Sequence, residues 1–176
     1  PMGLAIGGLP VVESALGLEE MIARFDEGIT TSGPAPGDFA KAVEKSQTGD
    51  GVLVVTLAGD LSSTFRSASL GAQEATGPVE IVDSRTGAQT LVVLAAARAA
   101  RAGDDLASVA NAARRAIGEV SLVGALSTLE YLVKGGHIPA AAGWAARHLN
   151  VRPVIELQDG HVRPLRPAFS REAALE

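Results

Sequence analysis

The chain contains no cysteine. Disulfides and thiolate metal sites are therefore excluded, and a reducing, cytoplasmic location is the expectation. Aromatic side chains are scarce, with one Trp and one Tyr, too few for the stacking platforms that bind single-stranded nucleic acid. Positive charge is in deficit. Fifteen Lys and Arg against 20 Asp and Glu leave a formal net charge of −5, which argues against a nucleic-acid or anionic-membrane surface. No apolar run is long enough to insert stably in a bilayer, since the stretch 91–100 is interrupted by Arg98 and followed by Arg101. His137, His148 and His161 lie far apart and lack metal-ligand spacing. No P-loop, GxGxxG or GxSxG motif occurs among the 20 glycines and the serines, so neither a nucleotide cradle nor a hydrolase elbow is written in the chain.

What is present is an apolar, globular composition. At 176 residues and 47% hydrophobic, the chain is long enough to bury a core as one domain or two small ones. Its organising stretch is VLVVTLAGDLSSTFRSASL, residues 52–70. The run from Val52 to Leu57 reads as a strand of a parallel sheet. Gly59 and Asp60 break it, and Ser62, Ser63 and Thr64 open a helix carrying Phe65, Ala68 and Ala72 on one side. Two readings of these hydroxyls stand side by side. Ser and Thr are ordinary helix caps that serve only their own helix. A helix start beyond the carboxyl end of a strand is also a natural seat for a small anion, because its first amides lack internal partners.

Around this unit, strands and helices alternate. Residues 2–6 read as a buried strand ended by Gly7-Gly8, and Leu18, Met21, Ile22 and Phe25 recur at helical spacing before the stop at Gly28. In ITTSGPAPGDF, residues 29–39, the Gly and Pro residues predict a loop carrying a second hydroxyl cluster, Thr30, Thr31 and Ser32. Solvated turn hydroxyls and a second arm of one anion site are both open here. A strand over 79–82, a helix running to Gly103 and a helix capped by Asp104 complete the pattern of a doubly wound, mostly parallel α/β sheet. From residue 119 the pattern changes: a strand over 120–126, a helix over 128–134, an Ala-rich helix with Trp144, and a hairpin turning at Asp159-Gly160. Residues 1–118 are thus expected to form an α/β domain and 119–176 part of a smaller α+β domain.

Four segments together, TTSGPAPGDF (30–39), LSSTFRSA (61–68), VDSRTGAQTLVV (82–93) and LEYLVKGGHI (129–138), resemble the signature segments of the DegV family in their order and separation. The resemblance implies the same α/β plus α+β fold and a bound long-chain fatty acid. It also implies a partner, the catalytic subunit of a bacterial fatty-acid kinase, which phosphorylates the bound carboxylate to an acyl phosphate. On that reading the protein is a lipid-binding subunit and not itself an enzyme. It needs no cofactor, and Thr31, with Ser32 beside it, and Ser62 correspond to the residues that hold the head group, within the two clusters Thr30–Ser32 and Ser62–Thr64. Two departures stand out. Ser63 occupies a place where the family usually has Gly, and His137 one where it usually has Arg, so a permanent cation becomes a titratable one. The family's first strand and its C-terminal part are not found, so the chain is expected to be part of a longer protein. A different class of function, a small-molecule enzyme with Ser62 as nucleophile, lacks a recognisable base.

Overall fold

The computed structural model describes residues 3–11, 16–134, 152–170 and 172–173. The fold is mixed α/β, with both parallel and antiparallel sheets. The chain opens with β1 (Gly3–Ile6) and β2 (Leu9–Val11), joined by Gly7-Gly8. Both glycines have positive φ, 59° and 79°, the geometry that lets a two-residue turn follow the twist of a hairpin. After α1 (Leu18–Ala23) and a single 3₁₀ turn (Phe25–Glu27), β3 (Ile29–Ser32) returns on the other side of β1 and makes the order β2-β1-β3, all antiparallel. Thr30, Thr31 and Ser32 therefore lie on a strand and not on the expected loop. Ile29 and the two threonines are β-branched, and β1 offers an edge that the segment joins with Gly3 opposite Ser32 and Ile6 opposite Ile29.

The parallel pairing expected around the central strand is found between β4 (Val52–Thr56) and β5 (Val79–Asp83), from Val52↔Val79 to Thr56↔Asp83. Leu53 and Val55 turn one face of the pair toward a buried cluster of Val82, Val92, Ala96, Val109, Ala110 and Ala113. The helices that supply most of it are α4 (Gln89–Arg101) and α5 (Leu106–Ile117). Strand alternation turns Val54 and Thr56 the other way, and α2 (Pro36–Ser46) and α3 (Thr64–Ala72) pack against each other and against β4. α2 begins directly at Pro36, because the fixed φ of proline suits the first helical turn and its missing N–H is no loss there. Proline thus starts this helix inside the segment whose Gly and Pro content predicts a loop. Val43 of α2 and Ala68 of α3 are buried. The two helices approach closely at Gly71, where an added Cβ would lie 2.8 Å from Phe39 Cβ and 3.0 Å from the Ala40 nitrogen.

A separate antiparallel sheet follows, ordered β6 (Leu122–Ala125), β7 (Arg152–Gln158), β8 (His161–Ala168), with α6 (Glu130–Lys134) after β6. The hairpin turns at Asp159-Gly160 as its sequence predicts, with φ of 50° and 80°. Contacts that tie this half to the first include an edge-to-face pair of Phe25 and Tyr131 at 4.8 Å and a hydrogen bond from the Tyr131 hydroxyl to Asp26 at 3.4 Å. The expected Ala-rich helix with Trp144 lies outside the described residues. Among the described residues no helix is long and apolar enough to cross a membrane.

The cap of α5 is Asp105, one residue beyond the Asp104 expected from sequence. Its carboxylate accepts the Ser108 N–H at 2.8 Å, and this bond holds its pKa below the ordinary value. A carboxyl group with a depressed folded pKa stabilises the fold above its unfolded pKa and ceases to do so as pH falls through the folded one. Asp105→Ala should lower the melting temperature at pH 7, and the gap to wild type should narrow in acid. Gly71→Ala should wedge α2 from α3 at a cost of about 1–3 kcal/mol, measured by denaturant unfolding, whereas alanine at the neighbouring exposed Leu70 should cost less.

Candidate functional site

β4 ends at Thr56, and the chain then leaves the sheet through residues 57–63 before α3 begins. Backbone hydrogen bonding explains the shape of this turn. The Leu61 N–H donates to the Ala58 carbonyl at 3.1 Å, and the Gly59 N–H donates to both carboxylate oxygens of Asp83, at 3.2 and 3.1 Å. Asp83 is the last residue of the adjacent strand, so one side chain fastens the exit of β4 to the end of β5. Gly59 has no room for a side chain: a Cβ would come within 2.8 Å of Asp83 Oδ2.

The hydroxyls that follow divide their work. Ser62 and Thr64 share a hydrogen bond between Oγ and Oγ1 at 2.8 Å, and the Thr64 N–H donates to Ser62 Oγ at 3.3 Å. Ser62 thus takes part of the capping role, and Ser63, formally the cap residue, makes no side-chain cap bond. The amides of Phe65 and Arg66 find no backbone acceptor among the described residues, as the geometry of a helix start requires. An open cavity of about 600 Å³ beside this helix start is lined by residues 59–63 together with Phe65, Arg66 and Asp83. The carboxyl ends of two parallel strands, a helix start and the Ser62 and Ser63 side chains therefore meet at one open cavity, the usual position for a ligand in an open α/β sheet.

The second hydroxyl cluster is reached through Gly33. A Cβ built there would lie 3.1 Å from both Ser63 Oγ and Thr64 Oγ1, so the residue after β3 rests directly on the start of α3. The strand itself splits the cluster. Thr31, opposite Leu4, shares the face of Leu4 and Ile6, whereas Thr30 and Ser32 project to the other face, that of Gly3 and Ala5. Thr30, Thr31 and Ser32 are exposed, and none lines the cavity. His137 lies outside the described residues.

Two contributors lie outside the residues expected to hold a ligand. Asp83 is among the most suggestive acids of the sequence but reads there as an N-cap or surface group, and its partner Gly59 is 24 residues away in the chain, so only tertiary structure pairs them. Arg66 lines the cavity as a cation on the first turn of α3, where helix periodicity alone cannot tell a site-facing side chain from a solvated one. As a nucleophile Ser62 finds little help: among the described residues its hydroxyl is bonded to Thr64 alone, and no carboxylate or imidazole reaches it. Gly33→Ala should displace the hydroxyls of Ser63 and Thr64 while costing the fold no more than about 1 kcal/mol, visible as amide resonance shifts at 63–64 without a large change in melting temperature.

The model of the DegV family, described as one of uncharacterised proteins, matches residues 1–176. A DegV domain-containing protein of Mycobacterium tuberculosis is 37% identical over 136 residues, 74% of this chain and 49% of that protein. The chain thus spans about half the length of the curated relatives it matches. A DegV family protein from Thermus thermophilus, described by its fatty-acid binding, has a TM-score of 0.86 and 30% identity, over 99% of this chain and 65% of that one. The Fatty Acid Kinase (Fak) B3 protein of Streptococcus pneumoniae, loaded with linoleic acid, shares the fold at a TM-score of 0.84 and 23% identity, over 99% of this chain and 66% of that one. The match over the whole sequence, joined to this strand–turn–helix geometry, makes the chain a member of the DegV family.

Proposed function

We propose that the protein binds a long-chain fatty acid and holds its carboxylate at the start of α3, presenting it to a separate kinase subunit that phosphorylates it to an acyl phosphate. The observation that carries this reading is the cavity at the carboxyl ends of β4 and β5, with Ser62 and Ser63 on its wall and amides without acceptors at the helix start. A carboxylate taken out of water needs donors. Here hydroxyls, helix amides and the positive end of the α3 dipole offset that cost. The fatty-acid binding of the Thermus relative supports the ligand class. The kinase partner rests on the family resemblance and on what the pneumococcal protein of the same fold is named for.

On this proposal the unit 1–118 carries the head-group site and 119–176 belongs to the smaller unit beside it. Ser62, Ser63 and Thr64 supply the first set of donors. From the second cluster Thr31 is assigned to the head group, with Thr30 and Ser32 on the opposite face of its strand, and this assignment, like that of His137, rests on the family resemblance. The chain is a binding subunit without a covalent intermediate or a cofactor of its own, and its place of work is the cytoplasm.

Ser62→Ala removes a donor to the anion. A hydrogen bond to a charged group is worth about 1.5–3 kcal/mol, so palmitate affinity measured by calorimetry should fall roughly ten- to a hundredfold. Loss of the cap should cost the fold only about 1 kcal/mol. Unchanged affinity together with a clearly lower melting temperature would reduce Ser62 to a cap and remove the carboxylate from this place.

A further inference from the structure

Asp83 and Arg85 lie two residues apart in VDSRTG and reach in opposite directions. Asp83 holds the turn that carries Ser62, through the Gly59 N–H, and its Oδ1 also accepts the Arg85 N–H at 2.8 Å. Arg85 reaches the other sheet: its guanidinium donates to the Asp159 carbonyl at 2.7 Å, and its own carbonyl accepts the Gly160 N–H at 2.7 Å. These are the two residues at the tip of the β7–β8 hairpin. The same tip also faces the 59–63 turn directly, since a Cβ on Gly160 would lie 2.6 Å from Asp60 Oδ2 and His161 Nδ1 stands 4.0 Å from it. The turn is therefore held between Asp83 on one side and the hairpin tip on the other.

The segment joining the two anchors is itself constrained. Arg85 has φ 54°, a conformation that non-glycine residues adopt only where the surroundings impose it. Buried Ser84 donates from Oγ to the Thr86 carbonyl at 3.1 Å. At Gly87 an added Cβ would come within 3.0 Å of Leu122 and 3.4 Å of Leu157, side chains of β6 and β7. Arg85 is absent from the cavity wall, so it acts on the site only through its neighbours.

We infer that Arg85 is a positioning residue, whose clamp on the Asp159-Gly160 tip sets the geometry of the 59–63 turn and so couples ligand affinity to docking of the second sheet. The inference rests on the proposed carboxylate site. Coupling is reciprocal: if docking of the tip favours the ligand-binding shape of the turn, a bound ligand favours docking by the same factor.

The test measures palmitate affinity and amide hydrogen exchange of the full chain in three variants. Arg85→Ala should weaken palmitate about tenfold and speed exchange at residues 59–63, while exchange in α5 stays as in wild type and reports an intact core. Arg85→Gln, neutral but able to donate to the Asp159 carbonyl, should recover affinity to within about threefold. A direct cation–carboxylate contact would not be rescued in this way, and failure of the glutamine overturns the inference. Gly160→Ala, which strains the tip at its positive φ and crowds Asp60 Oδ2 while leaving the Arg85 side chain in place, should reproduce the faster exchange. Exchange at 59–63 unchanged in both Arg85→Ala and Gly160→Ala also overturns it. If wild type takes up no palmitate, the fatty-acid proposal falls, and the exchange measurements by themselves decide the coupling.

Discussion

Two parallel strands that end side by side leave backbone N–H groups to be satisfied outside the sheet, and much of this structure follows from how that is done. At the end of β4 the Gly59 N–H goes to the carboxylate of Asp83 at the end of β5. That bond fixes where the chain turns and hence where α3 begins. Thr64 is served by Ser62, whereas the amides of Phe65 and Arg66 find no backbone acceptor among the described residues. A buried acceptor elsewhere would have closed the site. Satisfying the turn from the neighbouring strand keeps the helix start available for an anion.

The placement of the remaining elements can be read outward from this junction. α4 and α5 bury one face of the β4–β5 pair against a cluster of small and β-branched side chains. α2 meets α3 across Gly71, so the helix bearing the hydroxyls is held laterally as well. Gly33 then brings the end of β3 against Ser63 and Thr64. The site is thus assembled from three supports, a strand pair, a helix pair and a strand end, each of which depends on close approach at a glycine.

The second sheet reaches the same junction from another side. Asp159 and Gly160 form a tight turn with positive φ at both residues, which presents a carbonyl and an amide outward at the hairpin tip. Arg85 uses both. A short loop between β5 and α4 therefore touches the exit of β4 and the tip of the β7–β8 hairpin at once. Exposed bonds of this kind contribute modestly to stability when taken singly. Their importance lies in geometry, because they leave the turn little freedom to drift.

Local pattern carried much of this protein. The apolar run Val52–Leu57, the helix start at Ser62–Thr64, the Asp159-Gly160 hairpin and the four family segments are readable because each is a matter of neighbours in sequence: periodicity, turn chemistry and capping. Pairing partners are not. Residues 2–6 read as a strand of an alternating α/β series, yet β1 lies in an antiparallel sheet with β2 and β3, because Gly7-Gly8 turns the chain back within two residues and β3 then takes the free edge of β1. The TTS segment reads as a loop from its prolines, yet β-branched residues beside an open edge make it a strand, and that alternation sends Thr31 to one face and Thr30 and Ser32 to the other. Sequence by itself determined which stretches carry donors and which carry the core. Tertiary structure decided that Asp83 serves Gly59 and that Arg85 grips Asp159, contacts spanning 24 and 74 residues, since a hydrogen bond over such a distance depends on where the whole fold sets its two ends.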